Sequence, residues 1–144
     1  MTETLSIPGN TFTIIEDGEA TAGRIGVVEC ELEPGWLGPP QHTHKQHDET
    51  FYVLEGTVRF TTGERSFVLS AGESTTIPLG TPHTFGNASD DDRARLLGTV
   101  SPARYIKYFR ELSSIPTSAE GRLDPATVRD LMDDYDTEPY PATS

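Results

Sequence analysis

The stretch Gln41-His42-Thr43-His44-Lys45-Gln46-His47-Asp48-Glu49-Thr50-Phe51-Tyr52-Val53-Leu54-Glu55-Gly56 joins two patterns. Its second half alternates. Glu49, Phe51 and Val53 share one face of an extended strand and Thr50 and Tyr52 the other, because successive strand side chains point to opposite sides. Its first half holds three of the chain's four histidines. His42 and His44, two apart, aim at one point when the backbone is extended, which makes them a chelating pair. Glu49 then opens a strand whose inward face is otherwise apolar. An inward carboxylate beside imidazoles meets a large desolvation cost unless a cation compensates it or its pKa shifts. The fourth histidine, His83, follows Thr81-Pro82. Without chemistry, the same histidines would be surface residues of a loop rich in proline and glutamine.

Outward from this stretch, residues from Thr11 to about Val100 read as short strands separated by Gly, Pro and Asn or Asp turns. In Gly26–Glu33, Val28, Cys30 and Leu32 share the apolar face and Glu29, Glu31 and Glu33 the wet one. Thr57–Thr61 and Arg65–Leu69 continue from Glu49–Glu55 as a meander of close hairpins. Ser74–Ile77, Pro82–Gly86 and Arg93–Val100 extend the series, with Ser89-Asp90-Asp91-Asp92 as a solvated turn. The predicted class is all-β.

After Pro102 the period changes. Tyr105, Phe109 and Leu112 recur at helical spacing, and Asp124 as N-cap with Pro125 in the first turn announces a second helix carrying Val128, Leu131, Met132 and Tyr135. Residues 1–102 are therefore read as a β-barrel, and 103–144 as a helical extension of the same domain that packs on it. Residues 136–144 have little to bury and are read as a frayed tail.

Composition narrows the function classes. A 144-residue chain is the size of one domain. A formal charge of −12 repels nucleic acid and anionic membrane surfaces. No segment approaches the roughly 20 apolar residues of a membrane span, and the first residues show no basic and apolar leader pattern. Cys30 is the single cysteine, a small core residue that suits a reducing cytoplasm.

The spacing of these residues resembles the two motifs of the cupin superfamily. Gly72-x5-Pro78-x-Gly80-x2-His83-x3-Asn87 matches the second motif in every position. His42, His44, Glu49 and Gly56 match the first, while Gly35 lies one residue too far from His42, so the incoming loop is longer by one. The resemblance implies a double-stranded β-helix, the jelly-roll barrel. It implies one divalent transition metal held by His42, His44, Glu49 and His83, and turns at Gly56, Gly72 and Gly80. Zinc is the favoured metal, with iron, nickel, manganese and copper as alternatives, since these ligand types do not select among them. His47 is an addition to the motif. It either joins the metal, stands beside it as a base, or lies exposed in a bulge. Trp36, Phe51, Val53, Phe60, Ile77 and Phe85 are candidates for an apolar, aromatic wall around a hydrophobic small molecule.

The chain is similar to small single-domain cupins of actinomycetes, which implies two enzyme classes. One is the zinc-containing aromatic polyketide cyclases of the resistomycin type, with intramolecular aldol cyclisation and aromatisation by Lewis-acid and general-base catalysis through His47 and Glu49. The other is the ring-cleaving quercetin dioxygenases. The cyclase is preferred, because a fourth imidazole at the metal would occupy coordination space that dioxygen and a chelating enolate need. A non-catalytic binding cupin is the third reading. The resemblance further implies a homodimer, for which Ile25 and Val27, on the outer face of their strand, are candidate contacts.

Overall fold

Every second residue of Gly26–Leu32 is buried, as are Glu49, Phe51 and Val53 of the strand that begins the deciding stretch, so alternation sets which faces meet. The computed structural model describes residues 2–140. Its strands are β1 (Glu3–Ile7), β2 (Asn10–Glu16), β3 (Gly26–Leu32), β4 (His42–His44), β5 (Asp48–Glu55), β6 (Thr57–Thr62), β7 (Arg65–Ser70), β8 (Ser74–Ile77), β9 (Thr84–Asn87), β10 (Ala94–Ser101) and β11 (Thr137–Pro139). Helices α1 (Ile106–Ser113) and α2 (Pro125–Asp134) lie between β10 and β11.

A six-stranded sheet in the order β1-β2-β3-β10-β5-β8 is joined by a three-stranded sheet, β7-β6-β9, and by the pair β11-β4. The two larger sheets meet through aromatic side chains. Phe51 of β5 lies 5.5 Å from Phe60 of β6 and 5.1 Å from Phe85 of β9, ring centre to ring centre. The result is the all-β jelly roll that the sequence predicts. Gly56 joins β5 to β6 at φ 76°, and a Cβ there would stand 2.6 Å from the Arg93 carbonyl oxygen, so both conformation and space require glycine.

Asn87 explains the last position of the downstream motif. Its side-chain amide donates to the carbonyls of Asp92 (2.8 Å), Glu33 (3.1 Å) and Leu32 (3.4 Å), and its oxygen accepts from Ser89 N–H (2.9 Å). Its backbone N–H donates to the Trp36 carbonyl. One buried side chain thus ties the incoming loop to the acidic turn. Asn87→Ala leaves several of these groups without partners and is expected to cost about 1–3 kcal/mol, read as a lower urea midpoint with an unchanged slope. An unchanged midpoint would show that water replaces the amide.

The C-terminal region differs from its sequence reading in one respect. Asp124 accepts from Thr127 N–H at 3.1 Å with Pro125 in the first turn; of the predicted stripe Tyr105 and Leu112 are buried and Phe109 partly so, while Ile106 and Tyr108, outside that stripe, are buried as well. The expected frayed tail is partly a strand. At Asp136 the backbone turns through φ 53°, and β11 then pairs antiparallel with β4, Thr137 opposite His44 and Pro139 opposite His42. Edge hydrogen bonds of β4 reward this pairing although the segment has almost no apolar content. Residues 141–144 of the expected tail lie outside the described residues. Strand β1 was also not expected; it pairs along its whole length with β2. No helix among the described residues is long and apolar enough to cross a membrane.

Candidate metal centre

Four short segments converge on one buried cluster. Strand β4 contributes His42 and His44 on its inward face, and Glu49 enters from the start of β5. His83 precedes β9 and pairs with His42 through two backbone hydrogen bonds, N to O at 2.9 and 3.0 Å. His47 lies just before β5. All five side chains are buried. His42, His44 and His83 each offer a ring nitrogen within 4.8 Å of the other two, and His44, His47 and Glu49 form a second set of the same tightness. His44 belongs to both.

The hydrogen bonds decide which nitrogens point inward. His42 Nδ1–H donates to the Pro40 carbonyl (3.0 Å) and His83 Nδ1–H to the Thr81 carbonyl (2.9 Å). His44 Nδ1–H donates to Thr137 Oγ1 (2.8 Å), whose hydroxyl in turn donates to the Tyr135 carbonyl (3.2 Å). Each Nε2 is therefore left with a lone pair facing the interior, the arrangement that orients metal-binding histidines. His44 Nε2 lies only 2.9 Å from Glu49 Oε1, although both atoms are acceptors in that tautomer. His47 Nε2 meets the same oxygen at 2.8 Å, and His83 Nε2 stands 3.7 Å from Oε2.

Charge agrees with this geometry. Burial alone would push the Glu49 carboxyl up, but His44 and the other imidazoles around it hold it well below the usual range, so it is a carboxylate. Burial drives His42 down to about 3 and also lowers His44, whereas at His83 the lowering by burial is outweighed by the contact with Glu49 and the shift is upward. An anion and inward lone pairs concentrated in a buried space repel one another unless a cation lies among them. Three imidazoles and one carboxylate fit a divalent transition metal.

His42, His44, Glu49 and His83 are thus brought together as the motifs imply. His47 is only 5% exposed, which rules out the exposed bulge. It joins the cluster through Glu49 and His44 and is not in the close set with His42 and His83. Of the expected wall, Phe51, Phe60 and Phe85 form one aromatic group, but Val53 and Phe60 have no exposed surface and belong to the closed core. Trp36 lies against Gly9 and 5.9 Å from Phe85. Ile77 borders a surface groove. Cys30 is buried among core residues, and burial pushes its thiol up to about 12, so it is unreactive.

Two residues at the centre were not singled out as site residues from sequence. Thr137 is 2% exposed and supports His44 from 93 positions away. Tyr105 lays its ring 4.6 Å from that of His44 and 4.4 Å from that of His47, closing one side. Tyr105 was visible only as part of an apolar helical stripe. A single threonine after an aspartate is too common a pattern to mark.

The family described as the cupin domain matches residues 28–100, just over half of the chain. The chain is a cupin. Over 93 residues this cupin is 29% identical to quercetin 2,3-dioxygenase of Bacillus subtilis, covering 65% of the chain and 26% of that enzyme. A solved sugar phosphate isomerase of the cupin superfamily from Silicibacter pomeroyi superposes with a TM-score of 0.58 at 26% identity, covering 66% of this chain and 60% of the other. An RmlC-like cupin from Shewanella frigidimarina superposes at 0.61 with 24% identity, covering 74% of this cupin and 89% of the other, a likeness of fold. The cupin spans about a quarter of the length of the curated dioxygenase.

Proposed function

We propose that this cupin is a metal-dependent enzyme that enolises an oxygen-rich aromatic or polyketide substrate, with Glu49 as the proton acceptor and His47 as its partner. The observation that carries the reading is the contact of His47 Nε2 with Glu49 Oε1 at 2.8 Å, beside three imidazoles whose free nitrogens face the same space. A divalent metal bound by those imidazoles would draw electron density from a substrate carbonyl or enolate oxygen. Glu49, held ionised, takes the proton from a carbon flanked by carbonyls or from an enolic hydroxyl, and the released electron pair stays on the substrate as its enolate. His47 shares that proton and fixes the direction of the carboxylate. Tyr105 excludes water from the side it covers.

Ring-cleaving dioxygenation is the reaction we assign after enolisation, with dioxygen as co-substrate. It is supported by the likeness to quercetin 2,3-dioxygenase and by the absence of His47 from the close set of His42, His44 and His83, which it reaches through His44 and Glu49. Intramolecular aldol cyclisation of a polyketide is the second reading, favoured by the same His–Glu couple, which can return the proton to a departing hydroxyl.

Protein loaded in turn with zinc, iron, nickel, manganese and copper, and supplied with quercetin, tests both. Dioxygen uptake in step with loss of the flavonol supports the first reading; turnover of a poly-β-ketone at constant mass less water, without uptake, supports the second. Glu49→Gln keeps the shape and removes the base, and is expected to lower turnover about 100-fold or more in either case. Full activity of that variant would end the proposal.

A further inference from the structure

Two grooves on this molecule carry opposite electrostatics. One, about 380 Å³, lies against β1, β2 and α1 and is lined by Glu3, Glu16, Asp17 and Glu19, with Arg110 already bonded to Glu3 (2.8 Å) and Asp17 (3.1 Å). The other, about 360 Å³, opens between β8, the edge of the six-stranded sheet, and β7, the edge of the three-stranded one. Its floor is apolar, made by Ile77 and Phe67, and its polar side chains are the hydroxyls of Thr62, Thr75, Thr76 and Thr81 with the guanidinium of Arg65. No carboxylate lines it. Arg65 shares its strand face with Phe67, holds its guanidinium carbon 5.7 Å from the centre of that ring, and makes no ion pair among the described residues. In a chain of net charge −12, an unneutralised cation over an apolar floor is an unusual local field.

No side chain of the metal centre lines the groove, but three of its lining residues neighbour that centre through the backbone. Ile77 pairs in register with Glu49. The Thr81 carbonyl is the acceptor that orients His83. Thr62 precedes Gly63, whose N–H and carbonyl are both held by the Gln41 side chain at 2.8 Å, next to His42.

We propose that this groove is the binding subsite for the non-reacting end of the substrate, and that it selects a planar aromatic compound bearing an anionic oxygen group, a carboxylate or an ionised phenol, which Arg65 receives. Ring and anion match the site separately: the aromatic face covers Phe67 and Ile77, and a guanidinium pairs with planar oxyanions through two parallel N–H bonds. The inference rests on the enzyme reading above for the word substrate, but the binding itself does not need turnover.

The test is equilibrium binding of fluorescent 3-hydroxy-2-naphthoate to the metal-loaded protein, with 2-naphthol as the uncharged probe. The naphthoate is expected to bind more tightly than the naphthol and to weaken with added salt. Arg65→Gln, an exposed substitution, is expected to weaken naphthoate binding roughly tenfold to a hundredfold and to leave the naphthol unchanged. Arg65→Lys, which keeps charge but not the planar fork, restores part of the loss. Absence of naphthoate binding, equal binding of both probes, or an unaffected Arg65→Gln variant each overturns the subsite. Binding with these properties and no turnover of any enolisable compound leaves the subsite standing and ends the enzyme reading; turnover with none of them does the reverse.

Discussion

His44→Ala protein is expected to lose its metal while keeping its fold. His44 is the one residue common to both sets of close ligand atoms, so its removal breaks the three-imidazole set and the carboxylate set together. The backbone role of the position survives, because the His44 carbonyl still accepts from Gly80 N–H at 2.7 Å. The far-ultraviolet circular dichroism spectrum should therefore be unchanged. Metal affinity, measured by competition with a chromophoric chelator, is expected to fall by more than the roughly 10–100-fold that loss of a supporting partner alone costs. His42→Ala should be less severe, because the His44–His47–Glu49 set remains. Full metal content in His44→Ala would remove these imidazoles from the candidate ligand set.

Thr137→Val should weaken the same metal by about 10–100-fold without touching any atom that faces it. Valine fills nearly the same volume, so packing is preserved. It cannot accept from His44 Nδ1–H, which is left buried without a partner at a cost of about 1–3 kcal/mol. The ring can then rotate or change tautomer, and its inward lone pair is no longer assured. Thr137→Ser, which returns the hydroxyl, is expected to restore most of the affinity. A merely structural role for the threonine would lower the melting temperature and leave metal affinity alone, which is the result that would defeat this prediction.

The parts of the site legible in the sequence are those fixed by short-range spacing. His42 and His44 lie on one strand face because of a period of two, and Glu49 falls in phase with Phe51 and Val53 for the same reason. His83 became legible through Gly72, Pro78 and Gly80, whose turn geometry aims it. The strands from β2 to β10 were readable because each has one wet and one dry face or a punctuating glycine. What stayed hidden depends on partners distant in sequence. β11 is a strand only because β4 offers it an edge, and three residues carry no period of their own. β1 likewise has little burial and takes its form from pairing with β2. The environment of His47 was open for a similar reason: two bend residues separate it from β4, and their direction depends on where Tyr105, 58 positions later, places its ring.

The pairing of β11 with β4 also sets an order of events during synthesis. The polypeptide is made from its N-terminus, so the histidines and Glu49 leave the ribosome well before Thr137, and the jelly roll can close around them first. Until the last turn of α2 has emerged and reversed at Asp136, His44 lacks the acceptor that fixes its tautomer. Metal captured by the nascent chain before that pairing would meet a His44 ring whose direction is not yet fixed.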